Sequence, residues 1–395
     1  MAVQVLKKKR IWKDLRFLIF LIALLPLWMW LYWLLTPKQE FAVAIIDKTV
    51  LNTRNQEHQS LVWVLQHEKL VKKNKEFYIG AQDYFGFFPG DSGKYRIKGL
   101  ERFNEPKLDQ LVSDCDMVYV TDTYGVYTQE WHHLNVLGDR SSLIYGGLTE
   151  QDLYFLKGMN AAGKLVVAEH NTIGSPTTEM VRNQFENSFG IKWSHWNGRY
   201  FNSFDTLKNP ELPRWLYRNY MQQHGGAWPF KNAGIAFVNL NDQVVVLEKE
   251  QHLGLADFPK ILATTTTQKH YGLPAKMDYN YWFEIMDVDS SQNEVLANFE
   301  LPLSKSGKHI LDSLGIPTKF PAVIHSLKQH QPFFYLTGDF CDNPINMKTV
   351  HFGGTDYFKW MLYNKEDPME RSYFFYNFYR PLVTTIIQDY RKTKQ

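Results

Sequence analysis

Two short polar segments that follow apolar runs carry the side chains best suited to chemistry. The run Lys164–Ala168 leads directly into Glu169-His170-Asn171. A carboxylate leaving a buried strand is partly desolvated, which raises its pKa and suits it to general acid or base work. Ser175-Pro176 follows and reads as the N-cap and first residue of a helix, whose free N–H groups would favour an anion or a developing oxyanion in the same region. The structural alternative is that Glu169 accepts backbone amides and pins the turn. The second segment, Thr337 to Asn343, leaves the run Phe333–Leu336 and holds Gly338, Asp339 and Asp342. Glycine there permits close backbone approach, and two acids three residues apart suit a cation or a set of sugar hydroxyls, or else an Asx turn. Paired with Glu169, either Asp122 or Asp339 would give the two-carboxylate arrangement of a glycosidase, which requires a separation of about 5–10 Å.

Further polar residues stand where apolar runs end. Asp47 closes Phe41–Ile46, Gln82 and Asp83 come after Phe77–Ile79, and Asp122 and Tyr124 follow the strand-like run 116–121. In an open parallel sheet, ligands collect beyond the carboxyl ends of the strands. Glu169, Asp122 and Asp339 are therefore the candidate catalytic residues, and Asp47, Asp83, Tyr124, His170, Asn171 and Asp342 the candidate ligand-binding residues. The histidines share no metal-ligand spacing, and there is no CxxC, HExxH or Gly-x-Ser-x-Gly, so neither metal nor cofactor is expected. Cys115 and Cys341 lie in different segments and read as buried free thiols, with pairing the alternative.

The elements that must position these groups alternate. After a strand at 41–46, helical spacing places Leu61, Val62, Leu65, Leu70 and Val71 on one face; Phe77–Ile79 reads as a second strand and Gly80 to Gly99 as a long loop, with Phe85 to Phe88 a lid, a stacking surface or a plug. Thr149 caps a helix that ends at Gly163, and another helix is expected from Pro176 to Phe189. Short strands apolar on both faces predict a mostly parallel sheet with helices on both faces over residues 40–190. From Ile191 hairpin-like alternation begins, around Asn241-Asp242 and again around Ser290-Ser291, with a helix near Pro213–Gln223. This predicts a β-rich insertion or second lobe over 191–305. A mixed segment, 306–395, with an aromatic helix from Arg371 to Arg391, is expected to pack back on the first lobe.

The chain opens differently. Phe17–Leu35 is an uncharged run of nineteen residues, with Trp28, Trp30, Tyr32 and Trp33 near its end, and six basic residues and one acid precede it. It predicts a single transmembrane signal-anchor helix with residues 1–16 as a cytoplasmic basic flank and the bulk of the chain outside the cytoplasm. Without that flank the formal charge falls from +3 to −2, so the body lacks the positive excess nucleic acid requires.

Cys115–Thr123 (CDMVYVTDT) and Leu148–Thr172 (LTEQDLYFLKGMNAAGKLVVAEHNT) together resemble the core of the class I glutamine amidotransferase-like superfamily, which has a flavodoxin-like α/β fold. That resemblance implies a strand, helix and strand leading into a tight elbow. The family's elbow holds a nucleophilic cysteine in Gly-x-Cys-x-Gly; here Glu169-His170-Asn171-Thr172-Ile173-Gly174 stands in its place, so thiolate-dependent glutamine hydrolysis is not implied. The expected function is a protein anchored in the inner (cytoplasmic) membrane whose extracytoplasmic, periplasmic domain binds a glycan or an envelope protein partner in polysaccharide assembly or export. The alternative is a polysaccharide hydrolase using Glu169 with Asp122 or Asp339.

Overall fold

The computed structural model describes residues 20–90, 93–132, 141–254, 258–367 and 369–394. Five strands, β1 (Val43–Asp47), β2 (Phe85–Pro89), β4 (Met117–Asp122), β5 (Leu165–Glu169) and β14 (Phe333–Leu336), run parallel. Counted in chain order, these five lie side by side as 2-1-3-4-5, the flavodoxin-like arrangement. Their side chains alternate between two cores. Ile45, Tyr119, Val167 and Leu336 face one, and Ile46, Val118, Val166 and Tyr335 the other. Period-two alternation with both faces apolar demands a covering layer on each side. Helix α2 (Gln56–His67) and the C-terminal helix α6 (Arg380–Thr393) cover the first face. Helices α3 (Glu105–Asp114), α4 (Glu150–Ala161) and α5 (Glu179–Phe189) cover the second. A capping box, with Thr149 and Asp152 each accepting the other's backbone N–H, starts α4 where its sequence predicts.

The sheet is mixed rather than mostly parallel. It has ten strands, and the antiparallel ones extend both edges: β3 (Tyr95–Lys98) beside β2, and β13 (Lys319–Ser326), β12 (Asn293–Glu300), β9 (Lys260–Ala263) and β10 (Lys276–Asp278) beyond β14. Strands β6 (Ile191–Phe201), β7 (Gly234–Asn239), β8 (Val244–Glu248) and β11 (Phe283–Val288) form a separate antiparallel sheet in the order β8-β7-β6-β11. The hairpin expected at Asn241-Asp242 is present as β7–β8. The one expected at Ser290-Ser291 is not: β11 and β12 flank that turn but join different sheets, because β11 pairs with β6 and β12 with β13.

Three other local expectations change. The second parallel strand is Phe85–Pro89, within the expected loop, while Phe77 makes only an isolated bridge to Val71. Phe87 is fully buried, so the aromatic run is core and strand rather than lid. Helix α5 starts at Glu179 under a Thr178 cap, not at Pro176, so its first N–H groups are displaced from the elbow and one of them, that of Val181, is already bonded to the Thr178 hydroxyl. The C-terminal aromatic helix is present with a π-type widening at Phe375–Tyr379.

The basic flank and residues 17–19 of the expected membrane span lie outside the described residues. Residues 20–23 are helical and α1 (Leu25–Leu35) follows, apolar and largely exposed along Phe20, Ile22, Trp28 and Tyr32. Among the described residues no helix is long and apolar enough to cross a membrane. Trp33 is buried against the body: its ring packs against Phe77 and His351, and the Lys69 ammonium lies 3.4 Å from its ring centroid. The Gly353 N–H donates to the Met29 carbonyl at 3.0 Å.

Candidate functional site

The second sheet is fastened over the carboxyl ends of the parallel strands. Glu284 N–H donates to the Thr337 carbonyl at 2.7 Å and Asp339 N–H to the Trp282 carbonyl at 3.1 Å. The Glu284 carboxyl accepts from Tyr335 O–H at 2.8 Å and from Asn171 N–H, and its burial raises its pKa to about 8. Close approach at this junction requires Gly338, where a Cβ would fall 2.3 Å from the Phe340 ring. Between floor and roof lies a pocket of about 660 Å³.

Of the sequence-predicted residues, Asp122, Tyr124, His170, Asn171, Asp339 and Asp342 line this pocket together. Three do not. Glu169 is fully buried beneath it, with Oε2 accepting from Phe340 N–H at 3.1 Å and Cys341 N–H at 2.9 Å and Oε1 from Tyr119 O–H. Burial still pushes its pKa well up, but both oxygens are engaged, Oε2 in holding the 340–341 backbone and Oε1 by Tyr119 of β4. Asp47 is fully buried too: Oδ2 sits 2.6 Å from His58 Nδ1 and Oδ1 accepts from Thr49 N–H at 3.1 Å. His58 Nε2 lies 2.8 Å from the Gly80 carbonyl, which can only accept, so Nε2 carries a hydrogen. Asp83 is paired with Lys72 at 3.0 Å and accepts from Ile79 N–H.

Glu57, which no motif in the sequence marks, also lines the pocket. It sits in the first turn of α2, directly after β1, where Asn55 has φ 52°. Its place after the first strand of a doubly wound sheet was the available signal, since that βα turn borders the crevice. Its Oε2 is buried without a hydrogen-bond partner, as are Asp342 Oδ1 and His170 Nε2.

The electrostatics separate these groups. Burial, reinforced by Asp47 and Asp342, holds the Glu57 pKa well above the carboxylate range. Burial and the nearby Asp339 charge do the same for Asp122, against a Tyr124 N–H bond of 2.6 Å that favours its anion. Asp339 is raised to about 7 by burial, opposed by Arg371, whose guanidinium bonds Asp339 at 3.2 Å and Asp342 at 2.9 Å while lying 4.1 Å from the Tyr281 ring centroid. Burial and the Arg371 charge lower His170 to about 3, so it stays neutral. Among the described residues seven lining side chains are acids and none is Lys or Arg; Trp215 and Trp282, both partly exposed, supply aromatic surface, while Trp193 borders the pocket from within the core. Lys48, beside the floor in sequence, bonds Asp152 at 2.5 Å and the Gly147 carbonyl. Cys115 and Cys341 are buried and unpaired with each other.

The fold thus defines a mixed α/β protein with a flavodoxin-like parallel core and a strand-end pocket. No family model and no curated protein matches the chain. Among solved structures it is similar to a putative ThuA-like protein from Bacteroides uniformis, at 11% identity and a TM-score of 0.35 over 88% of this chain and 94% of that one. A β-galactosidase from Bacillus circulans sp. alkalophilus matches at 10% identity and TM-score 0.33, and the carbohydrate deacetylase Agd3 at 9% and 0.25. Each of these two alignments covers 76% of this chain but only 30% of the other protein. Correspondence this loose transfers neither residues nor activity.

Proposed function

We propose that this chain is a membrane-anchored, extracytoplasmic protein of the cell envelope whose strand-end pocket binds a glycan. The observation that carries the reading is the composition of one hollow: carboxyl groups from Glu57, Asp122, Asp339 and Asp342 below, the partly exposed tryptophans 215 and 282 around them. Carboxyl oxygens accept from sugar hydroxyls and indole faces cover the apolar face of a pyranose ring, so both halves of a sugar's surface are matched. About 660 Å³ lies within the range of small-ligand sites and accommodates a short oligosaccharide. The uncharged run 17–35 with its basic flank supports the anchor.

A second reading, glycoside hydrolysis, is favoured by the unequal carboxyls. Burial pushes the Asp122 and Glu57 pKa values up, as suits a general acid, while Arg371 favours the anion of Asp339. With Glu169 engaged beneath the floor, the pair of this reading is Asp122 with Asp339. The test is an oligosaccharide array carrying neutral, anionic and amino glycans, probed with the full chain in detergent, followed by product analysis of any hit. Binding that disappears in Trp282→Ala supports the first reading. Cleavage that stops in both Asp122→Asn and Asp339→Asn while binding persists establishes the second, and an array without hits removes both.

A further inference from the structure

The charge balance of the pocket narrows the class of glycan, an inference that rests on the glycan reading above. Two carboxyl groups in the floor have an oxygen that no described residue satisfies: Glu57 Oε2 and Asp342 Oδ1, both buried. Leaving such atoms dry is costly, so a ligand that fits must bring donors to them. The cations nearby are already used. Arg371 takes the other oxygen of Asp342 and both a carboxyl and a carbonyl oxygen of Asp339, Arg199 pairs with Glu211, and Lys48 pairs with Asp152. An anionic glycan would therefore meet seven acids and, among the described lining residues, no Lys or Arg to offset them. A metal ion is also a poor occupant, since among the described residues no three Asp, Glu, His or Cys side chains are grouped to hold one. A primary ammonium supplies three donors and one positive charge in the volume of a methyl group, with no coordination geometry to satisfy.

We infer that the ligand is an amino sugar chain bearing a free amine, and that the Glu57 and Asp342 carboxyl groups receive its ammonium while the tryptophans cover the rings. The groups facing Glu57 are Asp47, Asp122 and Asp342; Asp47 is bonded to His58, and Asp342 to Arg371. In the free protein burial and those acids raise the Glu57 pKa, and an arriving ammonium opposes that shift and favours release of its proton to solution. An N-acetylated ring offers one amide donor, no charge and extra bulk, and releases nothing.

The decisive comparison uses the full chain in detergent with β-1,4-linked glucosamine tetrasaccharide and its fully N-acetylated counterpart, by titration calorimetry in two buffers of different ionisation enthalpy. The free amine form is expected to bind about 10- to 100-fold more tightly, in line with charge-assisted hydrogen bonds, and to release about one proton. Glu57→Gln is expected to abolish the proton release and bring the two ligands within about threefold. Glu57→Gln removes a destabilised acid and is expected to fold; Asp342→Asn, which also loosens Arg371, serves as the second variant and should shrink the preference in the same direction. Equal or tighter binding of the acetylated chain, or a preference that survives Glu57→Gln, overturns the inference while leaving the glycan reading intact. If neither tetrasaccharide binds but a neutral or anionic glycan on the array does, the inference fails alone; if no glycan binds at all, both fail.

Discussion

Glu169 and Glu57 are both buried acids near the same strand ends, and they differ in what surrounds their oxygens. Glu169 closes β5 and collects three donors from β4 and the 340–341 backbone, so its charge is consumed in architecture. Glu57 opens α2, keeps one oxygen without a partner, and faces a hollow shared with Asp122 and Asp342. Placement beyond a parallel strand therefore does not separate a working acid from a structural one. The count of satisfied acceptors does.

The sharpest way to break this contrast is Glu169→Ala. It leaves the Tyr119 hydroxyl and the Phe340 and Cys341 N–H groups buried without an acceptor, and should cost about 3–5 kcal/mol in urea unfolding, with the pocket turn lost. A loss below about 1 kcal/mol would show that the turn is held by something else. Next in size is the pH response. Glu284 has its pKa raised to about 8 in the folded state, against the usual carboxylate value when unfolded. The folded chain therefore binds the extra proton, and the stability this acid contributes is full below pH 4 and lost as pH rises toward 8. Glu57 and Asp122 act in the same direction. Melting temperature should thus fall between pH 5 and pH 8, and Glu284→Gln should flatten the accompanying loss of stability by on the order of 3–4 kcal/mol. A steeper fall in the variant contradicts the assignment. Trp282→Ala should weaken glycan binding about tenfold, read by intrinsic fluorescence or calorimetry, with the midpoint of unfolding moved much less than in Glu169→Ala. The smallest effect is reserved for Asp83→Asn. That acid pairs with Lys72 away from the pocket, so stability should change by less than about 1 kcal/mol and affinity not at all.

What was legible in the sequence followed from local rules. Alternation with both faces apolar marked Met117–Asp122 and Leu165–Glu169, and the Thr149 cap with Gly163 bounded α4. The grouping of Asp122, Tyr124, His170, Asn171, Asp339 and Asp342 in one hollow was readable because strand ends converge in a parallel sheet. What was not legible depended on tertiary pairing. The turn at Ser290-Ser291 has hairpin chemistry, yet its flanking strands part because β11 is claimed by β6 and by the Phe283–Gly338 bridge. Phe85–Pro89 was hidden by its glycine and aromatics, which fit a strand only because β1 on one side and β3 on the other complete its ladder. The idle oxygen on Glu57 belongs to no pattern in the chain; it exists only once neighbouring backbone fails to reach it.

The Trp33 mount has a consequence for reach. With its indole wedged among Phe77, His351 and Lys69, and Met29 bonded to Gly353, the N-terminal rod is bolted to the body instead of trailing from it. Under the anchor proposed above, a head so fixed would not sweep the space around its foot: it would present its opening at one constant height and angle, and molecules would have to come to that station to be met.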